Sequence, residues 1–234
     1  MILKKEFWVF IPARSGSKSI INKNIKLIKK KPLLVHSIEI AKKIKAAKKI
    51  IFSSDSEKYF QIAKKYFNRN CEFHKRNKKI SHDLTSDFEV FSSFLKQKIK
   101  NKEKIPEYLI HLRPTTPLRK INVIEKAIKK FIFKKSCTSL RSVSEMPNPS
   151  FKTFVIKNGK LYSFINKSFN IEKFNLPKEH FPKTYIPNGY IDILKSKNIL
   201  KKKFHGKKVF PFIINEHVFE IDNLKDLKLL RKLN

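Results

Sequence analysis

Gly16 lies in the polar stretch Ala13-Arg-Ser-Gly-Ser-Lys18, directly after an apolar run that ends at Pro12. Glycine reaches backbone conformations closed to other residues, and this chain has only four. Backbone amides and a lysine in such a loop can cradle phosphates at the carboxyl end of a buried strand. The spacing is not that of a Walker A loop, where Gly-Lys-Ser/Thr follows a four-residue gap. Near the other end, Glu220 and Asp222 flank Ile221. On a strand this alternation turns both carboxylates to one face. Two hard oxygen ligands there, completed by phosphate oxygens, suit Mg²⁺. The seven histidines show no ligand spacing among themselves, and no Ser-His-Asp or Cys-His nucleophile set can be assembled.

The elements that must position these groups follow from periodicity. Short apolar runs alternate with helical patterns, which predicts an α/β fold with a mainly parallel sheet. The first strand is Glu6–Pro12. Pro32 opens a helix that buries Leu33, Leu34, Ser37, Ile38, Ala41 and Ile44. A strand at Lys49–Ser53 leads to Asp55 as N-cap of a helix with Tyr59, Ile62, Ala63 and Tyr66 inward. Ser86 and Glu89 form a capping box ahead of Val90, Phe91, Phe94, Leu95 and Ile99. The strand Tyr108–Leu112 runs into the Pro-rich Arg113–Arg119, and a helix at Ile121–Phe133 buries Ile124, Ala127, Ile128 and Phe131.

From Cys137 the pattern changes. Strand-like pieces at Thr138–Val143, Thr153–Ile156 and Leu161–Ile165 are separated by Pro-rich and Asn-Gly turns, so residues 145–187 read as an inserted β-rich arm. Strands at Tyr190–Leu194 and near Val209–Ile214, and a helix from Asn223, return to the α/β pattern.

Composition narrows the class of protein. Lys and Arg outnumber Asp and Glu by 54 to 19, giving a formal net charge of +35. Only seven of those cations are Arg, and the lysines are spread over every segment without blocks. A nucleic-acid binder concentrates Arg and aromatic residues in a recognition motif, so the charge reads as a solvated surface and nucleic acid is not the expected partner. Cys71 and Cys137 are sixty-six residues apart with no CxxC, which excludes a disulfide scaffold and a structural zinc site. The longest apolar run, Phe7–Ala13, is far below the roughly 20 residues a membrane span needs. The first residues lack a secretory pattern, so a soluble, cytoplasmic protein is expected.

Four stretches together resemble the acylneuraminate cytidylyltransferase (CMP-sialic acid synthetase) family, in order and over nearly the whole chain. They are Ile11-Pro-Ala-Arg-Ser-Gly-Ser-Lys-Ser-Ile-Ile-Asn-Lys-Asn24, Leu112-Arg-Pro-Thr-Thr-Pro-Leu-Arg119, Pro187-Asn-Gly-Tyr190 and Glu220-Ile-Asp222. Ser53–Glu57, and Arg76 followed by Asp83, also sit where the family has comparable residues. The resemblance implies a Rossmann-like, three-layer nucleotidyltransferase fold whose inserted arm makes a homodimer. It implies that CTP and a nine-carbon 2-keto sugar acid give a CMP-sugar and pyrophosphate with Mg²⁺ as cofactor. By the same resemblance, Arg14, Lys18 and Lys23 hold the triphosphate, Ser17 and Asn24 add hydrogen bonds, and Ala13, Arg76 and Ser86 complete the nucleotide site. Arg14, Lys23 and Asp222 act in catalysis, and Glu220 and Asp222 bind the metal. Arg113, Thr115, Thr116, Lys152, Lys178, Asn188 and Gly189 fall on the sugar side.

The departures from the family pattern gather on that sugar side. Arg113 stands where many members have Gln, Lys178 where they have Arg, and Tyr190 and Asp192 where Ala and Tyr are common. Glu220 replaces an Asp, and Asn77 a Pro. Docking of the aromatic arm, which is expected to come partly from the other subunit of the homodimer, is expected to bring Lys152 and Lys178 to Arg113 around the sugar carboxylate. Two other readings stay open at this point: a nucleotidylyltransferase for a Kdo-like sugar or a sugar phosphate, and a basic nucleic-acid-binding protein.

Overall fold

The first predicted strand, Phe-Trp-Val-Phe-Ile-Pro, is apolar at every position because both of its faces are covered. In the computed structural model, which describes residues 5–67, 70–164 and 171–232, it is β1 (Phe7–Pro12) and lies inside a seven-stranded sheet. The other strands of that sheet are β4 (Ala47–Ser54), β5 (Cys71–Lys75), β6 (Tyr108–His111), β7 (Ser139–Glu145), β10 (Tyr185–Lys195) and β11 (Val209–Ile213). Two small hairpins account for the remaining pairs, β2 (Leu27–Ile28) with β3 (Lys31–Pro32), and β8 (Phe154–Lys157) with β9 (Lys160–Ser163). The sheet order is β11-β7-β10-β6-β1-β4-β5, and every neighbour pair is parallel except those made by β10, which runs against both β6 and β7.

Alternate residues of β1 feed two cores, as a pleated strand requires. Phe7, Val9 and Ile11 pack with Leu34 and Ile38 of α1 (Leu33–Lys42), Tyr59 of α2 (Glu57–Lys64) and Ile124 and Ile128 of α4 (Ile121–Phe133). Trp8 and Phe10 pack on the other face with Val90, Phe91 and Phe94 of α3 (Asp87–Lys100) and Ile199 of α5 (Ser196–Leu200). The result is the expected three-layer α/β sandwich. A third, smaller cluster joins Ile20, Ile28 and Leu33 to Ile221 and to Leu227 and Leu230 of α6 (Leu224–Lys232). It clamps the segment around residue 221 against the chain that follows β1.

Several local readings need correction. The N-cap of α2 is Ser56, whose hydroxyl accepts from Tyr59 N, while Asp55 turns away to the loop after β1. Ile99 is exposed at the end of α3, although the capping box of Ser86 and Glu89 forms as expected. The edge strand β5 and the short α5 have no counterpart among the expected elements. Glu220–Asp222 is an extended loop and not a strand; one backbone bond, Ile221 N to Thr115 O at 2.8 Å, ties it down.

The arm leaves β7 and returns through β10. Its hairpin turns at Asn158 and Gly159, both at positive φ (50° and 72°), the backbone that favours tight hairpins. Of its phenylalanines, Phe151, Phe154, Phe174 and Phe181 are at best half-buried and Phe164 is 68% exposed. Phe169 lies outside the described residues, as does Ile165 at the end of one expected strand. Among the described residues, no helix is long and apolar enough to cross a membrane, and Cys71 and Cys137 form no disulfide.

Candidate active site

The strand order reverses at β1, whose neighbours are β4 on one side and β6 on the other. Open α/β sheets bind ligands outside the carboxyl ends of the strands at such a point. Here the loops after β1, β5 and β6 enclose a cavity of about 190 Å³, lined among others by Arg14, Ser17, Lys23, Asn24, Arg76 and Thr115.

The loop after β1 is held from beneath. Asp55 accepts from Ser15 N (2.8 Å) and Ser15 Oγ (2.6 Å), and Asn24 Nδ2 donates to Arg14 O (2.8 Å). Ala13 is buried, and its N–H donates to Ser53 O. Gly16 takes φ +63° with no atom near its missing side chain, so its requirement is backbone conformation alone. Arg14 and Lys18 both pair with Asp83, a partner that spacing did not reveal.

Lys23 is a buried cation of the site. Its Nζ donates to Ile221 O (3.0 Å) and Asp222 O (3.2 Å) and lies 3.8 Å from the Asp222 carboxylate. Burial lowers its pKa, opposed by the charges of Asp222 and Glu220. Glu220 is shifted the other way: burial raises its pKa, and the Asp222 charge raises it further. Both carboxylates are hard oxygen donors beside Lys23, which lines the cavity, so the pair fits Mg²⁺ with substrate oxygens completing the shell. No group of three or more His, Cys, Asp or Glu among the described residues could hold a metal by itself.

Arg76 is buried at the cavity wall, where burial pulls its pKa down to about 10, still protonated at neutral pH. Its Nε donates to Ser53 Oγ (2.9 Å) and its Nη2 to Ser53 O (3.2 Å). Having accepted from Arg76, the Ser53 hydroxyl donates to His74 Nδ1 at 2.9 Å. His74 is neutral: burial, then the Arg76 charge, push it down to about 4. Ser86 is spent on the α3 cap and is exposed, and the neighbouring Thr85 and Asp87 line the cavity instead.

Arg113 does not stand free for a sugar carboxylate. Its fork spans Asp192 Oδ2 and Asp87 Oδ2, each at 2.9 Å, in the wall of the same cavity. Asp192 is buried, a register partner of both His111 and Arg141, so all three side chains share one sheet face. Burial would raise the Asp192 pKa, but His111 and Arg113 hold it well below the carboxylate range. Tyr190 is also buried, and its hydroxyl accepts from Lys120 N at 2.5 Å. Asp192 and Tyr190 are thus both buried and committed to partners within the fold.

Arg119 organises the remaining loops. Buried, it donates to the carbonyls of Tyr190 (2.6 Å), Arg113 (2.8 Å), Gly189 (3.0 Å) and Thr116 and to Ser37 Oγ (3.1 Å). Gly189 makes room for two side chains. A Cβ there would lie 2.8 Å from Glu220 Oε1 and 2.9 Å from Thr116 Oγ1. Asn188 donates to Ser144 Oγ (2.9 Å) and lines a second, open cleft with Glu220, Glu145 and Glu216. Lys152 is tied inside the arm to Leu176 O (2.7 Å), and Lys178 lines an outer hollow beside Glu145 and Phe181. Within one chain, then, Lys178 and Arg113 line different hollows, and Lys152 is held inside the arm.

A three-layer sheet with a basic, carboxylate-flanked cavity at its switch point defines a nucleotidyltransferase-type α/β protein. Residues 8–157 match the cytidylyltransferase family model. The chain is 32% identical over 148 residues to N-acylneuraminate cytidylyltransferase from Escherichia coli, a match covering 63% of this chain and 33% of that protein. It is 30% identical over 225 residues to CMP-N,N'-diacetyllegionaminic acid synthase from Campylobacter jejuni, covering 95% and 92% of the two chains. The fold superposes on a CMP:2-keto-3-deoxy-manno-octonic acid synthetase complexed with CTP with a TM-score of 0.68, over 98% of each chain at 15% identity. The chain belongs to the cytidylyltransferase family.

Proposed function

We propose that this protein transfers CMP from CTP to the anomeric hydroxyl of a nine-carbon 2-keto sugar acid, releasing pyrophosphate. The hydroxyl attacks the α-phosphorus in line, its proton passes to solvent, and the bond to the bridging oxygen of pyrophosphate breaks. Such chemistry needs positioning and charge neutralisation more than covalent help. Arg14 and Lys18 exchange Asp83 for the triphosphate, Lys23 stays fixed by its backbone bonds, and Ser17 and Asn24 orient oxygens. Arg76 meets the nucleoside end. Glu220 and Asp222 would hold Mg²⁺, which when bound neutralises phosphate charge. The sugar enters from the cleft beside Asn188, Thr116 and Glu220.

The observation that carries this reading is the buried Lys23 ammonium, bonded to the backbone of residues 221 and 222 beside both carboxylates. It places fixed positive charge between the phosphate loop and the acidic pair. Relatives named for sialic and legionaminic acids support a sugar-acid acceptor. The test is a pyrophosphate-release screen of the four nucleoside triphosphates against sialic, legionaminic, pseudaminic and eight-carbon 2-keto acids. Release only with CTP and a nine-carbon acid is expected; release with a sugar phosphate in place of any sugar acid refutes it.

A further inference from the structure

The cavity wall made by Arg76, Thr85 and Asp87 keeps unspent polar groups. Thr85 Oγ1 is buried and has no hydrogen-bond partner. Arg76 commits Nε and Nη2 to Ser53, and no hydrogen bond among the described residues uses Nη1. Asp87 gives Oδ2 to Arg113, and none among the described residues uses Oδ1. Its side chain is 38% exposed, and it is the sole acidic residue among those lining this cavity.

We propose that Asp87 selects the nucleotide base, accepting a hydrogen bond from the exocyclic amine of cytosine and repelling the corresponding oxygen of uracil. The assignment rests on reading the cavity as the CTP site, with the phosphates at Arg14, Lys18 and Lys23. Arg76 at this end is a donor only, and an ionised carboxylate is an acceptor only, so neither can turn over to suit a different edge as an amide or hydroxyl can. Cytosine offers one donor, at its 4-amino group, beside two acceptors. Uracil puts an oxygen at that position. Asp87 remains the anion: against burial, His111 and Arg113 hold its pKa below the ordinary value. Arg113, itself fixed by Asp192, fixes Asp87 in turn. Thr85 can adapt its hydroxyl to either base and contributes no choice.

Calorimetric titration with CMP, UMP and a CMP analogue lacking the 4-amino group, in the absence of sugar and metal, tests the assignment. The wild-type protein should favour CMP over both others by about tenfold or more. In the Asp87→Asn variant the preference should nearly vanish, because the amide can present either a donor or an acceptor. An unchanged CMP-to-UMP ratio in that variant overturns the proposal. So does equal affinity of the wild-type protein for CMP and the deamino analogue, which decides the matter even where the variant does not fold. Wild-type protein that binds no pyrimidine nucleotide overturns the CTP reading itself, and this assignment with it.

Discussion

Arg14 and Lys18 share one carboxylate, Asp83, so the loop cations are already partly neutralised before a phosphate arrives. Both pairs are solvent-exposed and therefore weak, which makes Asp83 a replaceable partner for a triphosphate. Arg14→Ala removes the one guanidinium of that loop, and a charge-assisted, forked contact cannot be rebuilt by Lys18. CTP affinity should fall by roughly 10- to 100-fold with the sugar Michaelis constant little altered; wild-type affinity by calorimetry refutes the assignment. Asp222 is a different case, with a side chain 72% exposed. Lys23 takes the Asp222 carbonyl, which survives Asp222→Asn. Turnover should drop roughly 100-fold at an almost unchanged melting temperature, and a near-native rate rules out the metal-ligand role.

Between elements, the row Arg141–Asp192–His111 crosses three strands and is continued by Arg113 to the head of α3. Breaking such a buried pair from one side leaves an uncompensated charge, so Asp192→Asn should cost about 3–5 kcal/mol. Because the folded-state pKa of Asp192 is depressed, its stabilisation is complete above the unfolded value of about 3.9 and is lost as pH falls through the folded value. Urea unfolding should therefore show wild type and variant converging in acid; a constant difference between pH ~7 and ~2 contradicts the linkage. Arg113→Gln belongs to the same row and should lower stability, an effect that the family resemblance, which sets Arg113 on the sugar side, did not suggest. The partners of Arg113 lie 26 and 79 residues away in sequence, beyond any local pattern. Strands covered on both faces were legible because they are continuously or almost continuously apolar: β1 throughout, and β6 up to His111. The edge strand β5 mixes Glu72, His74 and Lys75 with Phe73 and carries no such mark. Glu220-Ile-Asp222 reads as a strand because one buried Ile221 between two polar residues looks the same in an anchored loop.

At the scale of the whole molecule, the four motifs that pointed to the site do converge, on one end of one sheet, while the arm is the part the chain does not cover by itself. Ile156 (75%), Phe164 (68%) and Ile186 (51%) are among its exposed apolar residues, an excess that favours association with a second copy. Sedimentation should find a dimer, and an Ile156→Glu, Phe164→Glu double variant should sediment as a monomer; wild-type protein that is monomeric and fully active contradicts this role for the arm. The antiparallel β10 has a further consequence, for the nascent chain. The strands β5, β4, β1 and β6 can close with their helices once α4 has left the ribosome. The next strand, β7, has both of its sheet neighbours, β10 and β11, still unmade. Translation at about 5–20 residues per second keeps β7 waiting for roughly 2–8 seconds while the arm is synthesised. During that interval the open edge of β6 is an unpaired template, so a ribosome stalled within the arm should expose a half-sheet that chaperones bind and that hydrogen exchange distinguishes from the finished protein.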